Sequence, residues 1–124
     1  MDQQCPCGGK TFEQCCGRFL RSDHVPNTAE ELMRSRYTAY TLQEEAYLQA
    51  TWYARTRPVG LITEAGLKWL GLEVRKHLPE GDTATVEFVA RYKIDGRAHR
   101  LHEISRFVRE DGRWFYVDGS FPER

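Results

Sequence analysis

The stretch Val86-Glu-Phe-Val-Ala-Arg-Tyr-Lys-Ile-Asp-Gly96 decides the fold. Val86, Phe88, Ala90 and Tyr92 alternate with Glu87, Arg91 and Lys93, the period of two that belongs to a strand with one buried face. Asp95-Gly96 ends the run with a residue pair that two-residue hairpin turns favour, because both central positions need positive φ. A second such pair, Asp111-Gly112, follows, and upstream Leu72, Val74 and Leu78 alternate with Glu73, Arg75 and His77. The expectation is a four-stranded antiparallel meander.

The turns set a register. With Asp95-Gly96 as the whole loop, Ile94 pairs with Arg97, Phe88 lies opposite Glu103 and Val86 opposite Ser105. With Asp111-Gly112 as the next, Glu110 pairs with Arg113, Ser105 faces Asp118 and Phe107 faces Tyr116. Cross-strand partners share a face. Glu103, Ser105 and Asp118 are therefore expected on the apolar side, beside Phe88, Phe107, Trp114 and Tyr116.

Helices precede the strands. Thr28-Ala-Glu-Glu31 has the form of a capping box, and Leu32, Met33, Arg36, Tyr37 and Tyr40 then recur at three-to-four spacing, predicting a helix to about residue 42. Glu44 to Trp52 reads as a second helix or a continuation after a bend, ended by Pro58. Thr63 to Leu70 reads as a short third helix closed by Gly71. The sum is an α+β fold, with helices packed in a curved antiparallel four-stranded sheet.

A carboxylate on the buried face needs a partner or a proton. Arg36 shares the apolar face of the first helix, so an Arg36–Glu103 pair locking helix to sheet is the economical structural reading. The alternative is a pocket, with Glu103 or Asp118 as acid or base, Ser105 beside them, and Tyr37, Tyr40 and Trp52 shaping a cavity for a small ligand. His77, His99 and His102 read as surface residues. No nucleophile–base pair and no glycine-rich phosphate loop stands out.

All four cysteines fall between positions 5 and 16, in Cys5-Pro-Cys7-Gly-Gly-Lys-Thr-Phe-Glu-Gln-Cys15-Cys16. Four thiolates satisfy tetrahedral zinc and leave no open position, so the metal is read as structural, held by Cys5, Cys7, Cys15 and Cys16. Gly8 and Gly9 let the chain double back, and Lys10, Arg18 and Arg21 offset the charge. Disulfides or free thiols are the competing reading. A bridge between Cys15 and Cys16 is disfavoured, since Cα atoms across one peptide lie about 3.8 Å apart, below the usual disulfide range. Residues 1–20 are taken as the knuckle, 21–27 as a connector and 28–124 as the main domain. Loss of metal is expected to loosen residues 1–20 and leave the main domain folded.

The chain has 124 residues, with 18 basic and 18 acidic side chains in balance, so no overall field draws it to nucleic acid or a membrane surface. No run approaches the roughly 20 apolar residues that span a bilayer. The N-terminus lacks the basic start and apolar core of a signal peptide. A cytoplasmic protein with reduced thiols is expected.

Cys-Pro-Cys-Gly followed by Phe12-x-x-Cys15-Cys16 resembles the SEC-C motif, with a turn one residue shorter than usual between the second and third cysteines. In that motif the positions matching Cys5, Cys7, Cys15 and Cys16 bind zinc. Leu32-Met-Arg-Ser-Arg-Tyr37, Thr51-Trp52, Trp69-Leu-Gly-Leu72, Phe88-Val-Ala-Arg91, Ser105-Arg-Phe107 and Trp114-Phe-Tyr-Val-Asp-Gly119 extend the likeness, and the whole chain resembles the bacterial YchJ family. The resemblance implies the cone-shaped fold of nuclear transport factor two for the central domain. It brings no established activity. The functional expectation is a non-enzymatic zinc protein that docks a protein partner through the knuckle, with a homodimer left open. The alternative is a small-molecule binder, or an isomerase- or hydrolase-type enzyme, using the interior of the cone.

Overall fold

The computed structural model describes residues 3–63 and 66–122. A short α1 (Gly17–Leu20) leads into α2 (Ala29–Leu42) and α3 (Glu45–Ala50), and four strands follow: β1 (Leu67–Glu80), β2 (Thr83–Ile94), β3 (Arg97–Glu110) and β4 (Arg113–Ser120). They form one antiparallel sheet in the order β1-β2-β3-β4.

Helix α2 begins where its cap requires. The Thr28 hydroxyl accepts from the Glu31 amide at 3.1 Å, and the Glu31 carboxylate reaches back to the amide of Asn27 at 2.8 Å. The helix ends at Gln43, whose left-handed backbone (φ 56°) turns its amide onto the last carbonyls. Leu32, Met33, Arg36 and Tyr37 are buried against Val86, Phe88, Ala90, Phe107 and Trp114 of the sheet, the face that the period of two marked as apolar.

Both hairpins close as the residue pairs demand. Asp95 and Gly96 have φ of 52° and 76°, and Asp111 and Gly112 have 51° and 78°, so Ile94 pairs with Arg97 and Glu110 with Arg113. Phe88 lies opposite Glu103, Val86 opposite Ser105 and Phe107 opposite Tyr116.

Three expectations are corrected. Thr63–Leu70 is not a helix: Leu67 to Leu70 already belong to β1, while Glu64 and Ala65 lie outside the described residues. β1 carries irregularities between Trp69 and Gly71 and between Val74 and Lys76. Each inserts a residue, so the inward positions Leu67, Trp69, Leu72, Val74 and His77 mix steps of two and three, which imitates helical spacing at the start of the strand. The second insertion also turns His77 inward and leaves Leu78 55% exposed, the reverse of simple alternation. His77 Nδ1 lies 3.8 Å from Glu30 of α2.

Asp118 is the third correction. The ladder runs Ser105–Gly119 and Arg106–Asp118, then resumes at Phe107–Tyr116, with Val117 bulged out. One extra residue moves everything beyond it to the other face. Asp118 therefore leaves the apolar side and forms an exposed two-pronged ion pair with Arg106, at 2.6 Å and 2.5 Å.

Candidate functional site: a four-cysteine centre and a cavity joined by helix α2

The N-terminal segment folds back as a tight loop, with the Cys5 amide on the Lys10 carbonyl at 2.8 Å and the Phe12 amide on the Gln3 carbonyl at 2.8 Å. Cys15 and Cys16 immediately precede α1. The four sulfurs all lie within 4.8 Å of one another, and those of Cys7 and Cys15 are 3.5 Å apart. Thiolates at about 2.3 Å from a tetrahedral metal stand roughly 3.8 Å from each other, so the set fits a four-thiolate metal centre. A Cβ on Gly9 would come within 2.8 Å of the Cys15 sulfur, so the loop closes only because glycine stands there.

Charge explains why such a cluster suits a cation. The Cys7 thiol is lowered from 9.0 to about 5, chiefly by the hydrogen bond from Cys16 and against the cost of burial. Cys15 is raised to about 11, first by burial and then by Cys7. The hydrogen bond to Cys7 and burial also push Cys16 up. Negative charge is thus favoured at Cys7 and opposed at Cys15 and Cys16, and a dication is what offsets the loss of their protons.

The cluster does not project from the domain as an exposed appendage. Cys5, Cys7 and Cys16 are almost fully buried and share a core with Leu32, Met33 and Tyr37. The Cys5 sulfur lies 3.6 Å from the Thr38 hydroxyl, and Arg34 donates to the Cys7 carbonyl at 3.1 Å. Arg18 is engaged with the Cys15 carbonyl and Arg21 with Glu44.

The other face of α2 looks into the cone. Met33, Arg36, Tyr37 and Tyr40, spaced as one helical stripe, line a cavity of about 260 Å³ with Trp69, Phe88, Ala90, Leu101, Glu103, Ser105, Phe107 and Tyr116. Half of its lining residues are aromatic: Trp69 lies against Tyr37, Tyr40 and, outside the lining, Tyr92, with centroids 5.6 Å, 5.9 Å and 5.4 Å apart, and Phe107 meets Tyr116 edge to face.

Two charged groups stand in that wall. Arg36 is 5% exposed and Glu103 7% exposed. The expected Arg36–Glu103 pair is not formed. Arg36 gives its Nη1 hydrogens to the Leu48 carbonyl at 3.0 Å and the Thr51 hydroxyl at 2.6 Å, and its guanidinium lies over the rings of Trp52 and Tyr116. Glu103 Oε2 accepts from the Ser105 hydroxyl at 2.7 Å and the Tyr116 hydroxyl at 2.9 Å. Tyr40 and Tyr116 feel both charges, and burial raises the pKa of each. The same cost pushes Tyr37 up to about 12 and lowers Arg36, which as an arginine still keeps its proton.

Of the residues expected in a pocket, Arg36, Tyr37, Tyr40, Glu103 and Ser105 come together. Trp52 stands behind the wall, edge-on to Tyr116 at 4.8 Å, and Asp118 is on the outer surface. Gly119 was missed as part of the site. It lies opposite Ser105, and a Cβ there would come within 2.7 Å of the Glu103 carboxyl carbon, so the carboxylate sits in the space this glycine leaves. Its place in the Trp114–Gly119 motif was the available signal.

A family model described as the middle, nuclear transport factor two-like domain of YchJ matches residues 28–119. The chain belongs to the YchJ family. Its relatives include the UPF0225 protein of Cupriavidus metallidurans, 56% identical over 126 residues and covering 96% of this chain and 89% of that one. The UPF0225 protein of Methylibium petroleiphilum is also 56% identical, covering 93% and 86%. Among solved structures, a SEC-C motif containing protein from Rhodopseudomonas palustris superimposes with a TM-score of 0.87 at 30% identity, over 98% of this chain and all of that one. A second SEC-C motif containing protein, from Psychrobacter arcticus, gives 0.77 at 25% identity over 98% and 84%. The α+β architecture of a YchJ protein, with its N-terminal SEC-C cysteine cluster, is thus the one read from the residues. No helix among the described residues is long and apolar enough to cross a membrane.

Proposed function

We propose that this YchJ protein binds a small molecule in the cavity between α2 and the sheet, and that its four cysteines hold a structural zinc ion bracing the helix that forms one wall. The observation that carries the reading is the pair of buried charges, Arg36 and Glu103, which share a cavity wall without pairing. Burying an arginine and a glutamate apart costs more than burying them together, a cost that suits a site serving a ligand better than a packed core. Zinc is the choice because four clustered thiolates match its preferred number and softness and leave no position for substrate. Docking of a protein partner on the knuckle draws less support, since its cysteines face α2 and its arginines are engaged within the chain.

The test is a protein-observed NMR screen of small ring compounds against the metal-loaded protein. Shifts centred on the amides of Ala90, Leu101 and Phe107, lost in Ala90→Leu, support the reading. A library without one compound acting there overturns it. Elemental analysis of protein purified without added zinc, expected to give near-stoichiometric zinc, tests the metal.

A further inference from the structure

The cavity's charged groups specify more than a void. Arg36 has used both Nη1 hydrogens, and the rest of its guanidinium meets the Tyr40 hydroxyl but no carbonyl or carboxylate among the described residues. Glu103 has used Oε2 twice, while Oε1 accepts from no donor among the described residues. The wall therefore offers donors at one point and an acceptor at another, with Trp69, Phe88 and Phe107 supplying flat apolar surface.

We infer that the ligand is a small uncharged ring compound carrying both a hydrogen-bond acceptor and a donor, of the aromatic carboxamide or lactam class, with its carbonyl on Arg36 and its N–H on Glu103. This rests on the reading of the cavity as a ligand site. Charge decides against an ion. Arg36 and Glu103 already sum to zero, so a ligand with net charge adds an uncompensated ion to a site with largely apolar walls, at several kcal/mol. Hydrogen bonding decides against a hydrocarbon, which offers no acceptor to the remaining guanidinium hydrogens and no donor to Glu103 Oε1. Size sets the scale: a cavity of about 150 Å³ holds benzene, and about 260 Å³ leaves room for a substituted or fused ring.

Benzamide, benzoate and toluene share one ring and separate these cases. Titrated at neutral pH into the metal-loaded protein and followed by the Arg36 Nε–H resonance and the cavity amides, benzamide is expected to bind at least roughly tenfold more tightly than either of the others. Glu103→Gln leaves the wall with net positive charge and is expected to turn the preference to benzoate. If wild-type protein prefers benzoate, or takes toluene as well as benzamide, the inference falls while the cavity stands as a ligand site. If compounds from the ring screen bind in the cavity but none of these three does, the inference falls alone. If no ring compound binds at all, both fall. The wild-type ranking decides the matter even where Glu103→Gln does not fold.

Discussion

The hydroxyl of Tyr116 donates to the carboxylate of Glu103 at 2.9 Å, and the same ring lies 4.8 Å from the guanidinium carbon of Arg36. One tyrosine thus separates two buried opposite charges and supports both, the anion through its hydroxyl and the cation through its π face. Tyr116→Phe keeps the ring under Arg36 and removes one of two donors to Glu103 Oε2. We expect a loss of about 1–3 kcal/mol in urea unfolding, the cost of an under-satisfied buried acceptor, with the m-value unchanged. A loss within measurement error contradicts this.

Gly119 leaves room for the Glu103 carboxylate, so Gly119→Ala is expected to destabilise by about 1–3 kcal/mol, as overpacking does. The clash is specific to one side chain, and most of the penalty should vanish in a Glu103→Ala background. A double-mutant cycle measures that coupling, and simple additivity would show that strain at Gly119 has another source.

Removing the metal tests how the cysteine centre relates to the rest. Cys5, Cys7 and Cys16 lie in one core with Leu32 and Met33, so the packing argues for a wider effect than loosening of residues 1–20. Chelation is expected to lower the thermal midpoint of the whole protein by roughly 10 °C or more, a few kcal/mol. A melt of the sheet unchanged by chelation sinks this. The sign with pH follows from the thiols. Metal ligation holds them deprotonated, below the ordinary 9.0. The stabilisation is therefore complete above that value and falls away as acid protonates the thiolates and releases the metal.

Glu45, at the start of α3, accepts from the amides of Ile62 and Thr63 at 2.7 Å and 3.0 Å, and from the Thr63 hydroxyl at 3.0 Å. Thr63 first and Ile62 second hold its carboxyl at about 2, below the usual 4.5. Because the folded value is depressed, the tether is complete above about 4.5 and is lost as the pH falls towards 2. Hydrogen exchange at Ile62 and Thr63 should quicken over that interval, and Glu45→Gln should quicken it already at neutral pH. Rates indifferent to both would show that the loop is held by other contacts.

How much of this was legible depended on whether a local rule reached the residue. Asp95-Gly96 and Asp111-Gly112 needed positive φ and had it, so the β2–β3 register, and with it the facing of Phe88 with Glu103, could be counted out. The capping box at Thr28 placed α2, and its three-to-four spacing put Arg36, Tyr37 and Tyr40 on one stripe. Counting by twos failed wherever a strand carries an extra residue, at Trp69–Gly71, at Val74–Lys76 and at Val117. A bulge is chosen by packing across the sheet, which a residue's own neighbours do not record. The failed Arg36–Glu103 pair has a different cause: the guanidinium's hydrogens are taken by Leu48 of the next helix and by Thr51 at its C-terminal end, and no periodicity announces them.

Helix α2 carries Thr38 against the cysteine cluster on one side and Arg36 against the cavity on the other. Two sites that share a rigid element exchange free energy in both directions. If the cysteines hold a metal and the cavity a ligand, as proposed, whatever factor the metal lends to affinity in the cavity the ligand returns to the metal, and starvation for either would withdraw support from the same helix, each on its own face.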